Sequence, residues 1–319
     1  MRKINDKFRY YIFGALSVLA FLFILGSFFL TIDNNSKADT PLKDFPQGYR
    51  IISPGIPEAL EFAGERIPTE NFDISERIER EFLSSTYWHT ATVLAIKRAS
   101  RWFPVIEPLL KKNNIPDDFK YLCVAESNLE NVTSPAGAVG FWQFVEETGK
   151  KYGLEINDLI DERYHVEKST EAACRFLSES YSMFGSWISA AASYNMGQTG
   201  MSLQLERQKT RNYFNLVLNS ETSRYISRLV ALKYILSEPS KYGFDVKEDE
   251  LYKPLEYSEI SLNTGVMDFV DFASRRGINY YTLKLYNPWL RDNYLINKKQ
   301  KKYLIKIPEP ATIEVVKEQ

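Results

Sequence analysis

Glu126 completes an apolar stripe. Read as a helix, the segment FKYLCVAESNLE puts Phe119, Leu122, Cys123 and Glu126 on one face. A carboxylate in that position is drawn toward a core, where burial disfavours its charged form. A carboxyl that keeps its proton near neutral pH is what general acid catalysis requires. The plainer reading is that Glu126 ends the stripe in solvent or pairs with a basic side chain, and on this stretch alone it leads. Downstream, SPAGAVG holds one proline and two glycines in seven residues, which reads as a tight turn. The turn brings the following FWQF, with the amide of Gln143, back toward the helix. Tyr194 with Asn195, and Tyr225, again set polar groups beside apolar helical faces. Singly each is weak, since such residues on a helix are usually packing or surface.

The elements that must position these groups are helices. The pattern predicts one over about 75–86 with Ser75 as a cap, a second over about 88–100, and a third from Pro104 to the stop at Asn113-Asn114 and Pro116. The Glu126 helix follows over about 117–129, with Asp117 or Asp118 near its start. FWQFVEETGKKYGL reads as a short helix ended by Gly149 or Gly153. Helices over 166–184, 186–197 and 220–238 complete the set. In the second of these Trp187, Ala190, Ala191 and Tyr194 follow the i, i+3, i+4, i+7 pattern, and Ala190–Ala192 allow close packing. No sustained set of alternating strands appears, so a doubly wound sheet is excluded. Beyond Pro239 short strand-like runs alternate with a helical one, which predicts a small α/β module over about 256–308.

A formal net charge of −1 implies no polyanion partner, so nucleic acid is not expected. Tyr10–Ile32 is uncharged for 23 residues, enough for a membrane-spanning helix. Arg2, Lys3, Lys7 and Arg9 precede it and Asp33 follows. The positive-inside rule then puts residues 1–9 in the cytoplasm and the rest outside, anchored in the inner membrane; a cleaved signal that releases the protein is the alternative. Residues 33–74 are polar and proline-punctuated, a linker or wrapping arm. Cys123 and Cys174 both fall in expected helices; in an oxidising compartment they could pair, and two separate buried thiols is the plainer reading. Two histidines and no CxxC, HExxH or phosphate-binding loop point to no metal and no cofactor.

Five ordered segments together resemble the lytic transglycosylases of bacterial cell walls, the soluble-lysozyme-like group in glycoside hydrolase family 23, nearest the membrane-bound murein transglycosylase D branch. They are AES with Glu126 and Ser127; SPAGAVGFWQF with Gly137, Gly140 and Gln143; YGLEINDLIDERYHVEKSTEAACRFL; AASYNMG with Tyr194, Asn195 and Gly197; and ETSRYISRLVALKYI with Tyr225. The resemblance spans about 75–240 and implies a mainly α fold with a lysozyme-like catalytic domain. Met196 and His165 depart from the family pattern. The C-terminal FVDFASRRGINYYTLKLYNPWL and KKYLIKIP resemble a divergent LysM-type glycan-binding domain through Ile278, Leu283, Asn287 and Pro288, with NTG in place of the usual GDT; a family-specific packing domain and a simple Asn-Pro turn are the other readings. Residues 309–319 read as a tail or an added strand.

The resemblance implies a periplasmic enzyme acting on peptidoglycan glycan strands at the MurNAc–GlcNAc β-1,4 bond. Glu126 serves as sole acid and base, and the muramyl 6-hydroxyl attacks to leave a 1,6-anhydro end. A hydrolase flanks its bond with two carboxylates, and the motifs supply one. Gln143, Tyr194, Asn195 and Tyr225 are expected to position sugar and acid, and Ser127 to hydrogen-bond the glycan or Glu126. Gly137, Gly140 and Gly197 are expected to make the turns. A hydrolytic muramidase on the same fold and a non-catalytic peptidoglycan-binding scaffold are the alternatives.

Overall fold

The computed structural model describes residues 52–309, all but the first of which lie in one compact unit that begins at Ser53. The segments 1–9 and 10–32, residues 33–51 of the 33–74 arm, and 310–319 of the tail lie outside them. Among the described residues no helix is long and apolar enough to cross a membrane. The architecture is mainly α. A two-residue hairpin, β1 (Glu61–Phe62) and β2 (Glu65–Arg66), precedes α1 (Phe72–Tyr87), α2 (His89–Lys112), α3 (Lys120–Ser127), α4 (Glu146–Lys151), α5 (Val166–Phe184), α6 (Trp187–Met196), α7 (Gln198–Arg207) and α8 (Ser220–Ser237). The C-terminal part holds β3 (Tyr257–Leu262), α9 (Phe269–Ser274), α10 (Tyr280–Tyr286) and β4 (Tyr303–Pro308).

α8 is central: α1, α3 and α6 all pack on it. Its N-terminus is capped by Asn219, whose Oδ1 accepts from Thr222 N at 2.9 Å. Leu229, Val230 and Ala231 are buried against the main core, which also takes in Ile78 and Phe82 of α1 and Leu122 of α3. Leu60, Phe62 and Ile67 of the hairpin region join it, so this part of the arm wraps the helices rather than hanging free. Asp118 helps to fasten it: its Oδ2 accepts from Ala63 N at 2.6 Å and pairs with Lys233 of α8 at 2.7 Å.

Three local expectations are corrected. The first helix starts at Phe72 with Asn71 before it, not at Ser75. The second and third helices are one, α2, which carries Pro104 and Pro108 inside it. Each proline removes one helical hydrogen bond. The buried stripe Thr92, Ala95, Ile96, Ala99 nevertheless resumes at Ile106 and Leu110, with Trp102 and Phe103 partly buried between, and its burial carries the helix through. FWQF is not helical. Gln143 has φ +47°, and Val139 bridges both Thr133 and Phe144, so only Glu146–Lys151 of the expected helix forms.

β3 and β4 pair antiparallel from Tyr257↔Pro308 to Leu262↔Tyr303, with α10 laid on β4. Phe269, Leu283, Trp289 and Ile305 form a second core, and Ile160 from the helical part is buried within it. Asp161 N donates to Trp289 O, and Arg291 N to Leu159 O, both at 2.9 Å, so backbone hydrogen bonds dock the module onto the helices. Asn287 is more than a turn residue. It is fully buried; its Nδ2 donates to Leu283 O and Lys306 O, and its Oδ1 accepts from Lys306 N at 2.8 Å. Asn287→Ala strands the N–H and C=O of Lys306, while Leu283 O keeps the backbone N–H of residue 287, and is expected to cost about 2–4 kcal/mol. Thermal denaturation checks this, and an unchanged Tm rules out the clasp.

Candidate active site

α3 is short because the chain turns left-handed at Asn128 (φ +53°) and Leu129 (φ +57°), which leaves Glu126 in its last turn. Asn128 tolerates that conformation and anchors it: its Nδ2 donates to Ala91 O at 3.1 Å, and Arg98 Nη1 donates to its carbonyl at 3.2 Å. α8 runs alongside, and the Tyr225 hydroxyl donates to Glu126 Oε1 across 99 residues of sequence. Tyr225 is buried, whereas Glu126 keeps a partial opening to solvent.

Burial raises the Glu126 pKa to about 7. The Tyr225 hydrogen bond and the positive charge of Arg228 pull it down, and the negative charge of Glu221 pushes it up. Burial, with the adjacent Glu126 charge adding to it, drives the Tyr225 phenol well above its usual range, so Tyr225 acts as a proton donor in a hydrogen bond and keeps its proton. Arg228 is itself held from α1. The buried Glu81 pairs with Arg224 at 2.9 Å and Arg228 at 3.4 Å, both on α8.

The glycine turn lies against the end of α3. Gly140 has φ +81°, and a Cβ there would meet Arg163 O at 2.1 Å, so only glycine fits. Arg163 closes the turn from outside, with Nη1 donating to Gly137 O and Phe144 O at 3.2 Å each. Asp161 holds that guanidinium through two contacts, to Nε at 2.9 Å and Nη2 at 2.7 Å, with both side chains buried. Gly137 is also left-handed, at φ +77°.

The other expected residues take hydrogen bonds within the protein. Ser127 does not reach for Glu126; its Oγ donates to Cys123 O and Phe141 O, which ties α3 to the turn. Gln143 spends its amide nitrogen on Gly140 O at 2.7 Å and Val132 O at 3.1 Å. The Tyr194 hydroxyl donates to Trp142 O at 2.7 Å, beside the rings of Phe144 and Phe176. Asn195 bridges the end of α6 to the start of α8: its Nδ2 donates to Glu221 Oε1 at 3.2 Å, and its Oδ1 accepts from Thr222 Oγ1 at 2.8 Å. Gly197 breaks the chain between α6 and α7. Met196 packs against the core and lies over Gly200. His165 is in contact with Glu167 at 3.0 Å and lies beside Trp289. Cys123 and Cys174 are buried free thiols. Among the described residues no cluster of histidine, cysteine or carboxylate side chains forms a metal site.

Sequence reasoning missed Glu221, Arg228, Glu81 and the Asp161–Arg163 pair. Glu221 stands in the quoted ETSRY segment and was a readable signal. Arg228 stands in the same quoted segment, and Asp161 and Arg163 stand two apart in the quoted DLIDER run; Glu81 reaches Arg224 and Arg228 over a separation that no local pattern encodes.

Two outcomes follow from this electrostatics. A carboxyl raised from its usual 4.5 to about 7 contributes stability that is present below about 4.5 and lost as pH rises through about 7. The loss is roughly 3 kcal/mol. The Tm of Glu126→Gln should therefore gain on wild type between pH 5 and pH 8; a pH-independent difference would show that Glu126 titrates normally. Tyr225→Phe removes a hydrogen bond that favours the carboxylate. The Glu126 carboxyl resonance, followed by NMR, should then titrate above 7, and a downward move contradicts the assignment.

Residues 103–217 match the transglycosylase SLT domain, and residues 258–311 match the soluble lytic transglycosylase C-terminal LysM-like domain. The membrane-bound lytic murein transglycosylase D of Escherichia coli K12 is 29% identical over 232 residues, covering 71% of this chain and 50% of that protein. The protein of the same name in Escherichia coli O6:H1 matches to the same extent. The chain thus spans about half the length of these relatives. An inactive mutant of lytic transglycosylase Slt from Pseudomonas aeruginosa is similar at a TM-score of 0.37 and 18% identity, covering 54% of this chain and 33% of that one, too low a likeness to bear on the fold. The chain carries a transglycosylase SLT domain followed by a soluble-lytic-transglycosylase-type LysM-like domain.

Proposed function

We propose that this protein is a peptidoglycan lytic transglycosylase. It cleaves the MurNAc–GlcNAc β-1,4 bond without water and leaves 1,6-anhydromuramyl ends. The observation that carries this reading is Glu126, a half-buried carboxyl with its pKa raised to about 7 and the Tyr225 hydroxyl on one oxygen. At that pKa a single group exists in both protonation states near neutrality, which suits a residue that must first give a proton and then take one.

In the first step Glu126 protonates the glycosidic oxygen, the C1–O bond breaks, and the neighbouring N-acetyl oxygen shields C1. In the second, the carboxylate takes the proton of the muramyl 6-hydroxyl as that oxygen bonds to C1, and the N-acetyl group is released. The attack is intramolecular, so proximity supplies much of the rate. Tyr225 orients the carboxyl and steadies its charged form between the steps. Gln143, with its amide nitrogen engaged, offers its oxygen to the sugar; Tyr194 and Ser127 hold the turn that presents it. Asn195 holds Glu221.

The charge pattern of residues 1–33 supports export with 10–32 as an inner-membrane anchor, in keeping with the name of the Escherichia coli relatives. The catalytic part then faces the periplasm, with glycan strands as substrate, and the LysM-like domain adds glycan contact.

Glu221 favours a second reading, the hydrolytic muramidase, because it is a second carboxylate whose charge is felt at Glu126. Mass spectrometry of muropeptides released from purified sacculi separates the two. Wild type should yield anhydro ends, with activity falling as pH rises past about 7. Glu126→Gln should lose at least about a thousandfold, the scale of removing a general acid, while still binding sacculi. Reducing ends from wild type would establish the hydrolase, and undiminished release by the variant would remove Glu126 from the chemistry.

A further inference from the structure

A cavity of about 560 Å³ lies where the LysM-like domain docks on the helical part, within the size range of small-ligand sites. None of Glu126, Gln143, Tyr194, Asn195 and Tyr225 lines it, although Arg98, Leu129 and Phe141, which border the site described above, do. Its helical wall includes Trp102 and Phe141, in edge contact at 5.0 Å, and its other wall comes from β3, α10 and the loop that carries Trp289.

Three features specify a guest. The first is aromatic surface. Tyr252, Tyr257, Tyr281 and Tyr286 all line the cavity, and Tyr281 is 73% exposed. On α10 Tyr281, Lys284 and Leu285 fall at i, i+3 and i+4, so one helix face turns to the cavity with Tyr281 and Leu285 uncovered. A largely exposed tyrosine and leucine at a cavity mouth suit the flat face of a pyranose ring.

The second is charge. Four cationic side chains, Arg98, Arg101, Lys284 and Lys306, line the cavity against one carboxylate, Glu167. Glu130 pairs with Arg98 from outside the cavity, and Glu167 pairs with Lys306. Arg101 donates to the Lys253 carbonyl and lies over the Tyr252 ring, 5.1 Å from its centre. Lys284 donates to the carbonyls of Leu290 and Asp292. Neither forms an ion pair among the described residues, although the Asp292 carboxylate acts on Lys284 from nearby. Burial, with Arg291 nearby, lowers the Lys284 pKa to about 8, a strain that an incoming anion would relieve.

The third is an unused donor. Trp289 lines the cavity and is 2% exposed, yet its Nε1 has no hydrogen-bond partner. A buried indole N–H normally finds an acceptor.

We propose that this cavity is a second wall-polymer site, taking a carboxylate-bearing muramyl peptide with its sugar ring against Tyr281 and its carboxylate toward Arg101 and Lys284. The identity of the guest rests on the reading of the substrate as peptidoglycan. The neutral saccharide of a chitin-type strand supplies the ring without the charge, and is the natural control.

The test is isothermal titration of the full chain, in the Glu126→Gln background to prevent turnover, with N-acetylmuramyl-L-alanyl-D-isoglutamine and with tri-N-acetylchitotriose. The muramyl peptide should bind, and added salt should weaken it. Arg101→Ala and Tyr281→Ala should each weaken it about tenfold, the scale of one charge-assisted hydrogen bond or one stacking contact. Both residues are accessible to solvent, so neither change threatens folding. The neutral trisaccharide should bind at least about tenfold more weakly than the muramyl peptide and should not respond to Arg101→Ala. Absence of muramyl-peptide binding, indifference to both substitutions, or equal binding of the neutral sugar overturns the proposal. Failure here leaves anhydro-muropeptide release by wild type untouched. If release instead survives Glu126→Gln while muramyl-peptide binding depends on Arg101, the catalytic reading falls and the cavity stands.

Discussion

The hydrogen bond from Tyr225 to Glu126 sets the character of the whole helical domain. A carboxyl in that place faces opposing demands. Burial favours the neutral form, while Tyr225 and Arg228 favour the charged form, and the balance falls near neutrality. Neither influence alone would do so: full burial without the phenol holds the proton too tightly, and an exposed pair releases it too early. The balance depends on where α8 sits against α3. Glu81 of α1 holds Arg224 and Arg228 on one side of α8, and Asn195 and Asn219 fix its first turn.

Around that contact most of the motif residues serve the backbone. Ser127 and Tyr194 each give a hydroxyl proton to a carbonyl of the FWQF segment, at Phe141 and Trp142. Arg163 takes the carbonyls at Gly137 and Phe144. The turn is thus gripped from three elements, and its left-handed residues are held in a conformation that an isolated peptide would leave. A reaction that passes a proton out and back through one group tolerates little drift of the sugar relative to that group, and side chains that fix the turn meet that demand as directly as side chains that touch the ligand.

The helices were legible because their apolar spacing is local, as in α5 and α6, and Glu126 was legible because it ended such a stripe. Failures came where distant contacts override local chemistry. Pro104 looks like a helix start, yet the stripe from Thr92 to Leu110 pays for the missing hydrogen bonds. FWQF looks helical, yet Val139 captures it as a bridge partner and Gln143 turns left-handed. Motif order identified Ser127, Gln143, Tyr194 and Asn195, but their partners are backbone carbonyls and a carboxylate far along the chain. Sequence gives side-chain type and not that geometry. Asn287 shows the same limit: an Asn-Pro pair reads as a turn, and only β4 alongside turns it into a clasp.

The loop from Leu159 to His165 joins the two parts physically. Asp161 gives its backbone N–H to the Trp289 carbonyl and its carboxylate to Arg163, and Arg163 holds the glycine turn. Two residues on, His165 lies against Trp289 and lines the inter-domain cavity. A short run of buried, charge-assisted contacts therefore connects the cavity wall to the backbone beside Gln143. Such a connection is stiff, since Asp161 and Arg163 are almost fully buried and their contacts are bidentate. The docked module is accordingly part of the frame that holds the glycine turn, and removing it would expose Ile160 and take from Asp161 N its acceptor at Trp289. The LysM-like domain thereby has a structural task in this chain that does not depend on any glycan it binds.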